Sequence, residues 1–227
     1  MRVVATSDFH GTLPIIPECD LLLIGGDVTP VWDHNRQFQA EWLRTEFSPW
    51  LDAQPAKEKV WIGGNHDFVL QDWATSKSAH KVNALAGTYL NNEAVTLKSG
   101  LKVYGSPYSN KFGGWAFMMH ELQLASMWDN IPRDIDILLV HGPPHGFGDE
   151  VIGFSRTKRG MVEAEHVGST SLANQLFYDL WPNLKLVVFG HIHEGYGEYA
   201  MKNARLLNVS LMNDEYKPIN PPMVFEL

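Results

Sequence analysis

Residues 186–193 read LVVFGHIH: four apolar residues, a glycine, then histidines at 191 and 193. An extended chain points alternate side chains to opposite faces, so positions two apart face the same way. His191 and His193 would therefore stand together where the strand ends, spaced to serve one metal cluster. The run before them is continuously apolar, the pattern of a strand covered on both faces. Four earlier runs share the design: VVATSD (3–8), LLLIGGD (21–27), VWIGGNHD (60–67) and ILLVHG (137–142). In each, the residues able to bind metal come last: Asp8 and then His10, Asp27, Asn65 and His66, and His141. Open α/β sheets bind ligands beyond the carboxyl ends of their strands. Strands ending this way would deliver all these side chains to one crevice.

Candidate helices lie between the strands. NRQFQAEWLRTEFSPWLDAQ (35–54) spaces Phe38, Trp42, Leu43, Phe47, Trp50 and Leu51 for a helical face, with Pro49 expected to kink or divide it. HELQLASMWDNIP (120–132) puts Leu122, Ala125 and Trp128 on one stripe. GSTSLANQLFYDLWPNL (168–184) offers Ser or Thr caps ahead of Leu172, Leu176, Phe177, Leu180 and Trp181, and halts at Pro182. EAVTLKSGLKVYGSP (93–107) reads as a hairpin turning at Ser99-Gly100. Residues 197–211 and 223–227 read as further strands, joined by a proline-stiffened connector, NDEYKPINPP (213–222). The expectation is one α/β domain over residues 1–227, two mixed sheets with helices outside.

Composition narrows the function. A chain of 227 residues, 44% hydrophobic and 19% charged, is long and apolar enough for a substantial core and is not a disordered polymer. No apolar run approaches the roughly 18 residues of a membrane span. The formal net charge of -8 argues against a duplex nucleic-acid partner. A single cysteine, Cys19, leaves no internal disulfide and no thiolate zinc site, and reads as a buried hydrophobe. The sequence enters a strand at MRVVATSDFHG with no targeting segment, so a cytoplasmic location is expected.

The donor types select the chemistry. Carboxylates, imidazoles and an amide oxygen without thiolate suit Mn, Fe, Zn or similar divalent ions. They exceed what one ion needs but suit a pair about 3.5–4 Å apart sharing a carboxylate, which clamps an in-line displacement at phosphorus. Two divalent ions set against Asp8, Asp27 and a bridging hydroxide leave the centre locally positive, attractive to a phosphate.

The motifs Asp8-x-His10, Gly26-Asp27, Gly64-Asn65-His66-Asp67, His141 and Gly190-His191-x-His193, in that order, resemble the calcineurin-like metallophosphoesterase superfamily. GSPY, GWAF, HGPP, FGHIHEGYG and NPPMVFEL resemble its small metallophosphoesterase-domain-containing subgroup. The resemblance implies an αββα sandwich. It implies one ion on Asp8, His10, Asp27 and His193 and a second on Asp27, Asn65, His141 and His191, with Asp27 as the bridge. It also implies catalytic roles for Asp27, Asn65 and His66, a hydroxide between the ions attacking phosphorus while His66 protonates the leaving oxygen. Mn2+ is the first expectation for both ions, with Fe, Zn, Mg or Co as alternatives.

Two departures from the phosphoprotein phosphatase branch matter. Pro30 stands where that branch has the Asp that orients its histidine acid, leaving Asp33 or Asp67 to partner His66; Asp67 otherwise reads as structural. Gly63 stands where the branch has an Arg that grips a monoester dianion. A site without that clamp suits a singly charged ester, so small phosphodiesters, cyclic nucleotides among them, are the expected substrates. A phosphomonoesterase, protein phosphatase or nuclease on the same site, or a non-catalytic metal-binding interaction protein, are the alternatives. Asn65, His66, His145, Glu194 and Tyr196 are the candidate substrate contacts, Tyr196 as a platform for a nucleobase. SRTKRG (155–160) is the densest positive cluster, a solvated face or an anion-steering one, and Trp115 and Phe117 read as core. The oligomeric state stays open.

Overall fold

A computed structural model of the chain describes residues 1–76, 78, 80–156, 162–201 and 203–227. Each site-bearing apolar run is a strand, and the strands form two larger sheets. The first sheet runs, edge to edge, Met223–Glu226 (β15), Arg2–Thr6 (β1), Cys19–Ile24 (β2), Ala56–Trp61 (β3) and Thr88–Tyr89 (β4). Strands β1 to β4 are parallel neighbours and β15 is antiparallel to β1. The second sheet runs Gly197–Ala200 (β13), Arg205–Asn208 (β14), Leu186–Phe189 (β12), Ile137–Val140 (β9), Lys102–Ser106 (β6) and Glu93–Thr96 (β5). Its four inner strands are parallel, with antiparallel β13 and β5 on the edges. Two-stranded pairs outside these sheets join Ser109–Asn110 (β7) to Met118–Met119 (β8) and Glu150–Arg156 (β10) to Val162–His166 (β11). The expected hairpin is β5–β6, closed where the Leu97 N–H donates to the Leu101 carbonyl at 2.8 Å and Gly100 takes a φ of +89°.

The sheets pack face to face. Val3, Ala5, Leu21, Leu23 and Val60 of the first meet Val103, Ile137, Leu139, Leu186 and Val188 of the second, all buried. The opposite face of the first sheet (Val4, Leu22, Ile24, Trp61) takes helices α1 (Arg36–Trp42), α2 (Ser48–Ala53), α3 (Phe68–Thr75) and α4 (His80–Asn83). The outer face of the second (Tyr104, Leu138, Val140, Val187, Phe189) takes α5 (Glu121–Asp129) and α6 (Thr170–Phe177). This is the expected αββα layering, with inner strands buried on both sides as their continuous apolar runs require.

Some local expectations are corrected. Segment 35–54 is divided upstream of Pro49, by a π-helical turn over Leu43–Phe47. Pro49 cannot donate to the Thr45 carbonyl; it occupies the first turn of α2, where the missing N–H costs nothing. On α5 the buried pair is Leu124 and Trp128, whereas Leu122 is 87% exposed. On α6 the Ser169 hydroxyl caps the Leu172 N–H at 3.2 Å and Leu172 and Leu176 are buried, but Phe177 faces solvent and ends the helix. Cys19 is buried, as expected. No helix among the described residues is long and apolar enough to cross a membrane. The positive cluster at 155–160 falls outside the residues whose side chains are described.

Candidate metal centre

The first sheet delivers Asp8 and His10 beyond β1, Asp27 beyond β2, and Asn65 and His66 beyond β3. The second delivers His141 beyond β9, and His191 and His193 beyond β12. All are buried except the partly exposed His191. The chain bends sharply to place them. Asp8, His10, Asp27 and His191 have φ of 55°, 45°, 51° and 70°, half of the eight non-glycine residues with positive φ among those described. Such backbone costs about 1 kcal/mol or more per residue and persists only where surroundings enforce it. Here the Asp8 N–H donates to the Gly26 carbonyl and the His10 N–H to the Asp27 carbonyl, both at 2.9 Å. The His191 N–H donates to both Asp8 carboxylate oxygens at 3.1 Å. Space is equally tight: a Cβ on Gly64 would press on Asp27 and lie 2.6 Å from His141 Cε1.

Three triads have ligand atoms all within 4.8 Å of one another: Asp8–His10–His193, His10–Asp27–His66 and Asp8–Asp27–His141. Asn65 adds its amide oxygen 2.8 Å from His141 Nε2. His191 belongs to none of these triads; its ring centroid lies 5.0 Å from that of His141.

Hydrogen bonds behind the rings fix which nitrogens face inward. His141 Nδ1 lies 2.9 Å from the Gly25 carbonyl and His193 Nδ1 2.9 Å from the Asn213 carbonyl. A carbonyl only accepts, so both Nδ1 atoms carry the hydrogen and both Nε2 atoms turn lone pairs inward in the neutral rings. There His141 Nε2 faces Asn65 Oδ1 and, at 3.5 Å, Asp27 Oδ2. His193 Nε2 faces His10 Nε2 at 3.2 Å and Asp8 Oδ1 at 3.6 Å. Acceptors aimed at one another in a buried space repel unless a proton or a metal cation lies between them. Oxygen and imidazole donors without thiolate fit a divalent first-row ion.

Electrostatics agree with that requirement. Burial pushes His10 and His191 down to about 3, so both rings are neutral, the form that ligates. Burial would also depress His141, but Asp27 and Asp8 overcome it and push it up to about 9. Asp8 and Asp27 are held below the usual carboxylate range even though burial opposes it, because His193 and His141 respectively stabilise their charge. A Ser210 hydroxyl, donating to Asp8 Oδ2 at 2.7 Å, completes the support of that carboxylate.

His66 sits at the edge of the cluster. Its Nδ1 is 3.1 Å from Nε2 of His34, its backbone N–H donates to Asp27 Oδ1 at 2.7 Å, and its carbonyl accepts from Gln39 at 2.7 Å. Burial lowers its pKa, Asp27 opposes that, and His34 and His141 add to the lowering. The partner is therefore His34, and neither Asp33 nor Asp67. Asp33 accepts from the Asn35 N–H, while buried Asp67 accepts from the N–H groups of Val28, Thr29 and Gly64 and the Thr29 hydroxyl. Asp67 thus braces two loops that bear candidate ligands, its pKa pushed up to about 6 by burial and Asp27.

The remaining candidates are placed unevenly. His145 lies in a separate group with Asp149 and His166, 3.6 Å from the Asp149 carboxylate. Glu194 is exposed and borders a cavity of about 340 Å³ with Asp149, Glu150 and His166. Tyr196 donates its hydroxyl to the Pro221 carbonyl at 2.9 Å. Phe117 is core, but Trp115 is only partly buried and its ring centroid lies 4.4 Å from that of His66.

Residues 1–195 match the family model for calcineurin-like phosphoesterases. The chain belongs to the calcineurin-like phosphoesterase family. Membership supports a metal-dependent phosphoester hydrolase, in keeping with the buried His and Asp groups that could hold metal. This calcineurin-like phosphoesterase is 34% identical over 249 residues to human metallophosphoesterase domain-containing protein 1, covering 100% of this chain and 71% of that one. It is 33% identical over 205 residues to the probable rhamnogalacturonate lyase C of Emericella nidulans, covering 87% of this chain but 18% of that protein. The structure of TT1561 from Thermus thermophilus shares the fold, with a TM-score of 0.55 at 15% identity over 91% of this chain and 88% of that one. His34, Ser210 and Tyr216 approach the centre from loops that bear no recognisable motif in the sequence.

Proposed function

We propose that this calcineurin-like phosphoesterase hydrolyses small phosphodiesters at a dinuclear metal centre. The observation that carries the reading is the inward turn of His141 and His193 Nε2 onto carboxylate and amide oxygens from the facing sheet. Asp8, His10, Asp27 and His193 would hold one ion and Asp27, Asn65, His141 and His191 the other, Mn2+ first among Mn, Fe, Zn, Mg and Co. When bound, the pair supplies positive charge for the phosphate and a water deprotonated near neutral pH.

His66 gives its proton to the departing oxygen from Nε2, since Nδ1 is turned to His34. Burial lowers its affinity for that proton, which favours release, and an arriving phosphate anion restores the affinity when needed. Asn65 acts as both ligand and phosphate contact. The preference for diesters rests on charge. At Gly63 a side chain would start toward Phe117, Leu70 and the Tyr89 hydroxyl, 3.1–3.4 Å away in the core, so this position cannot aim a guanidinium at the phosphate. A dianionic monoester would lack that partner, whereas a singly charged diester does not need it.

The test is turnover by metal-stripped protein given back Mn, Fe, Zn, Mg or Co one at a time. Bis(p-nitrophenyl) phosphate should be cleaved in preference to p-nitrophenyl phosphate. Preference for the monoester refutes the diester assignment. Ion binding without turnover of either ester would favour the non-catalytic alternative.

A further inference from the structure

Two aromatic rings border His66. Trp115 approaches it from the side of His34 and Phe68, with ring centroids 4.4, 5.3 and 5.9 Å from His66, His34 and Phe68. Tyr216 approaches from the side of His10 and His193, at 4.9 and 5.0 Å from their rings and 6.4 Å from His66. Neither is a core residue: Trp115 is half-buried and Tyr216 is 45% exposed. The next aromatic outward, Phe112, is 53% exposed and 5.5 Å from the His191 ring.

The backbone presents the Tyr216 ring at a cost. Tyr216 has a φ of 57°, the left-handed region it shares with four candidate ligands. Its loop is closed by Asn213, whose side-chain oxygen accepts from the Glu215 and Lys217 N–H groups at 3.1 and 2.8 Å. The Asn213 carbonyl is also the acceptor that fixes His193. One loop therefore both aims a metal candidate and holds Tyr216 over it. Trp115 follows Gly113, at φ +88°, and Gly114, where a Cβ would meet nothing within 4 Å. Both rings pack inward against histidines yet stay partly exposed beside a buried polar centre, which leaves aromatic surface open to an outside contact.

We infer that Tyr216 and Trp115 form the pocket for the leaving arm of the substrate, and that this arm carries a flat aromatic ring, as in an aryl or nucleoside ester. The inference rests on the phosphodiesterase reading. One water is consumed: its oxygen bonds to phosphorus and it releases a proton to solvent. The bond from phosphorus to the leaving oxygen breaks with its electron pair going to that oxygen, and that oxygen takes the His66 proton, which solvent then restores. The arm departs as an alcohol or phenol, and the other arm remains on the monoester. The leaving oxygen must lie within about 3 Å of His66, which places its substituent against these two rings. Aromatic pairs favour flat partners over saturated ones of similar size.

Calorimetric titration of the metal-loaded protein with benzyl(methyl)phosphinate and cyclohexylmethyl(methyl)phosphinate, which carry only phosphorus–carbon bonds at the two arms, tests this directly. The benzyl ligand should bind about tenfold more tightly. Tyr216→Leu should bring the ratio close to one, and Trp115→Leu should reduce it. Equal binding by the unaltered protein, or a tenfold ratio surviving both substitutions, overturns the inference. Diester turnover without an aromatic preference sinks the pocket alone; an aromatic preference lost in Tyr216→Leu, without turnover under any ion, keeps the pocket and sinks the phosphodiesterase reading. Relative turnover of methyl phenyl phosphate and the methyl ester of thymidine 5′-phosphate then separates a simple aryl arm from a nucleoside.

Discussion

Replacing His34 by alanine isolates the orientation of the acid from the acid itself. His34 Nε2 lies 3.1 Å from His66 Nδ1, the only ring nitrogen of His66 that the described contacts engage. Trp115 and His10 pack against the His66 ring at 4.4 and 4.7 Å, and its backbone is tied to Asp27, so the ring keeps its place when His34 is removed. What is lost is one hydrogen bond that selects the tautomer and the tilt. A bond of this kind contributes about 0.5–1.5 kcal/mol, which corresponds to roughly twofold to twelvefold in rate. Losing the acid altogether costs on the order of 10²–10⁴-fold. His34→Ala should therefore fall between unaltered protein and His66→Ala. The loss should appear with methyl phenyl phosphate, whose leaving group needs protonation, and nearly vanish with bis(p-nitrophenyl) phosphate. His34→Gln, which can still reach Nδ1, should recover part of it. Because His34 adds to the lowering of the His66 pKa, the alkaline limb for the poor leaving group should also move upward in His34→Ala. An equal loss on both esters, or none on the poorer one, refutes the positioning role.

Three further outcomes are expected. Asp27→Ala should abolish binding of both ions, read by elemental analysis, while His66→Ala should keep the ions and lose turnover; retention of two ions by Asp27→Ala removes the bridge. In metal-stripped protein, His10 and His191 sit at about 3 against 6.5 in the unfolded chain, so stability should rise with pH across that window. Asp67, at about 6 against 3.8, offsets part of the rise, and His141, at about 9 against 6.5, reverses it above 6.5. The melting temperature of that form should therefore peak near pH 6.5 and fall on either side; a steady climb to pH 9 contradicts the assignment. Leu124→Ala should cost about 2–5 kcal/mol in denaturant unfolding, and Leu122→Ala less than about 0.5, since the first is fully buried and the second 87% exposed.

The strands that bear the candidate ligands are legible because a doubly covered strand must be apolar throughout, and a polar residue therefore marks its end. That rule places Asp8, Asp27, Asn65, His141 and His191 without any knowledge of the turns. The helices were less legible. On α5 the Leu122–Ala125–Trp128 and Leu124–Trp128 stripes are both compatible with so short a segment, and packing against β9 and α6 decides between them. His34 and Tyr216 escaped because loops carry no periodicity, and their positions follow from long-range hydrogen bonds such as that from His193 to Asn213. Trp115 reads as core from its apolar surroundings in sequence but is only partly buried beside His66. His145, beside Asp149, and Tyr196, bonded to Pro221, show that closeness in sequence to a candidate ligand does not fix where a side chain points.

The candidate ligands come from both sheets: Asp8, His10, Asp27 and Asn65 from one, His141, His191 and His193 from the other. Cations seated there would act as a rivet through the sandwich, joining layers that are otherwise held by apolar packing and a few bonds such as His141 to Gly25. By mass action, free ion at a hundred times its dissociation constant would stiffen the assembly by about 2.7 kcal/mol. A chelator would then loosen the two layers as well as silence the chemistry, so that heat tolerance reports on occupancy.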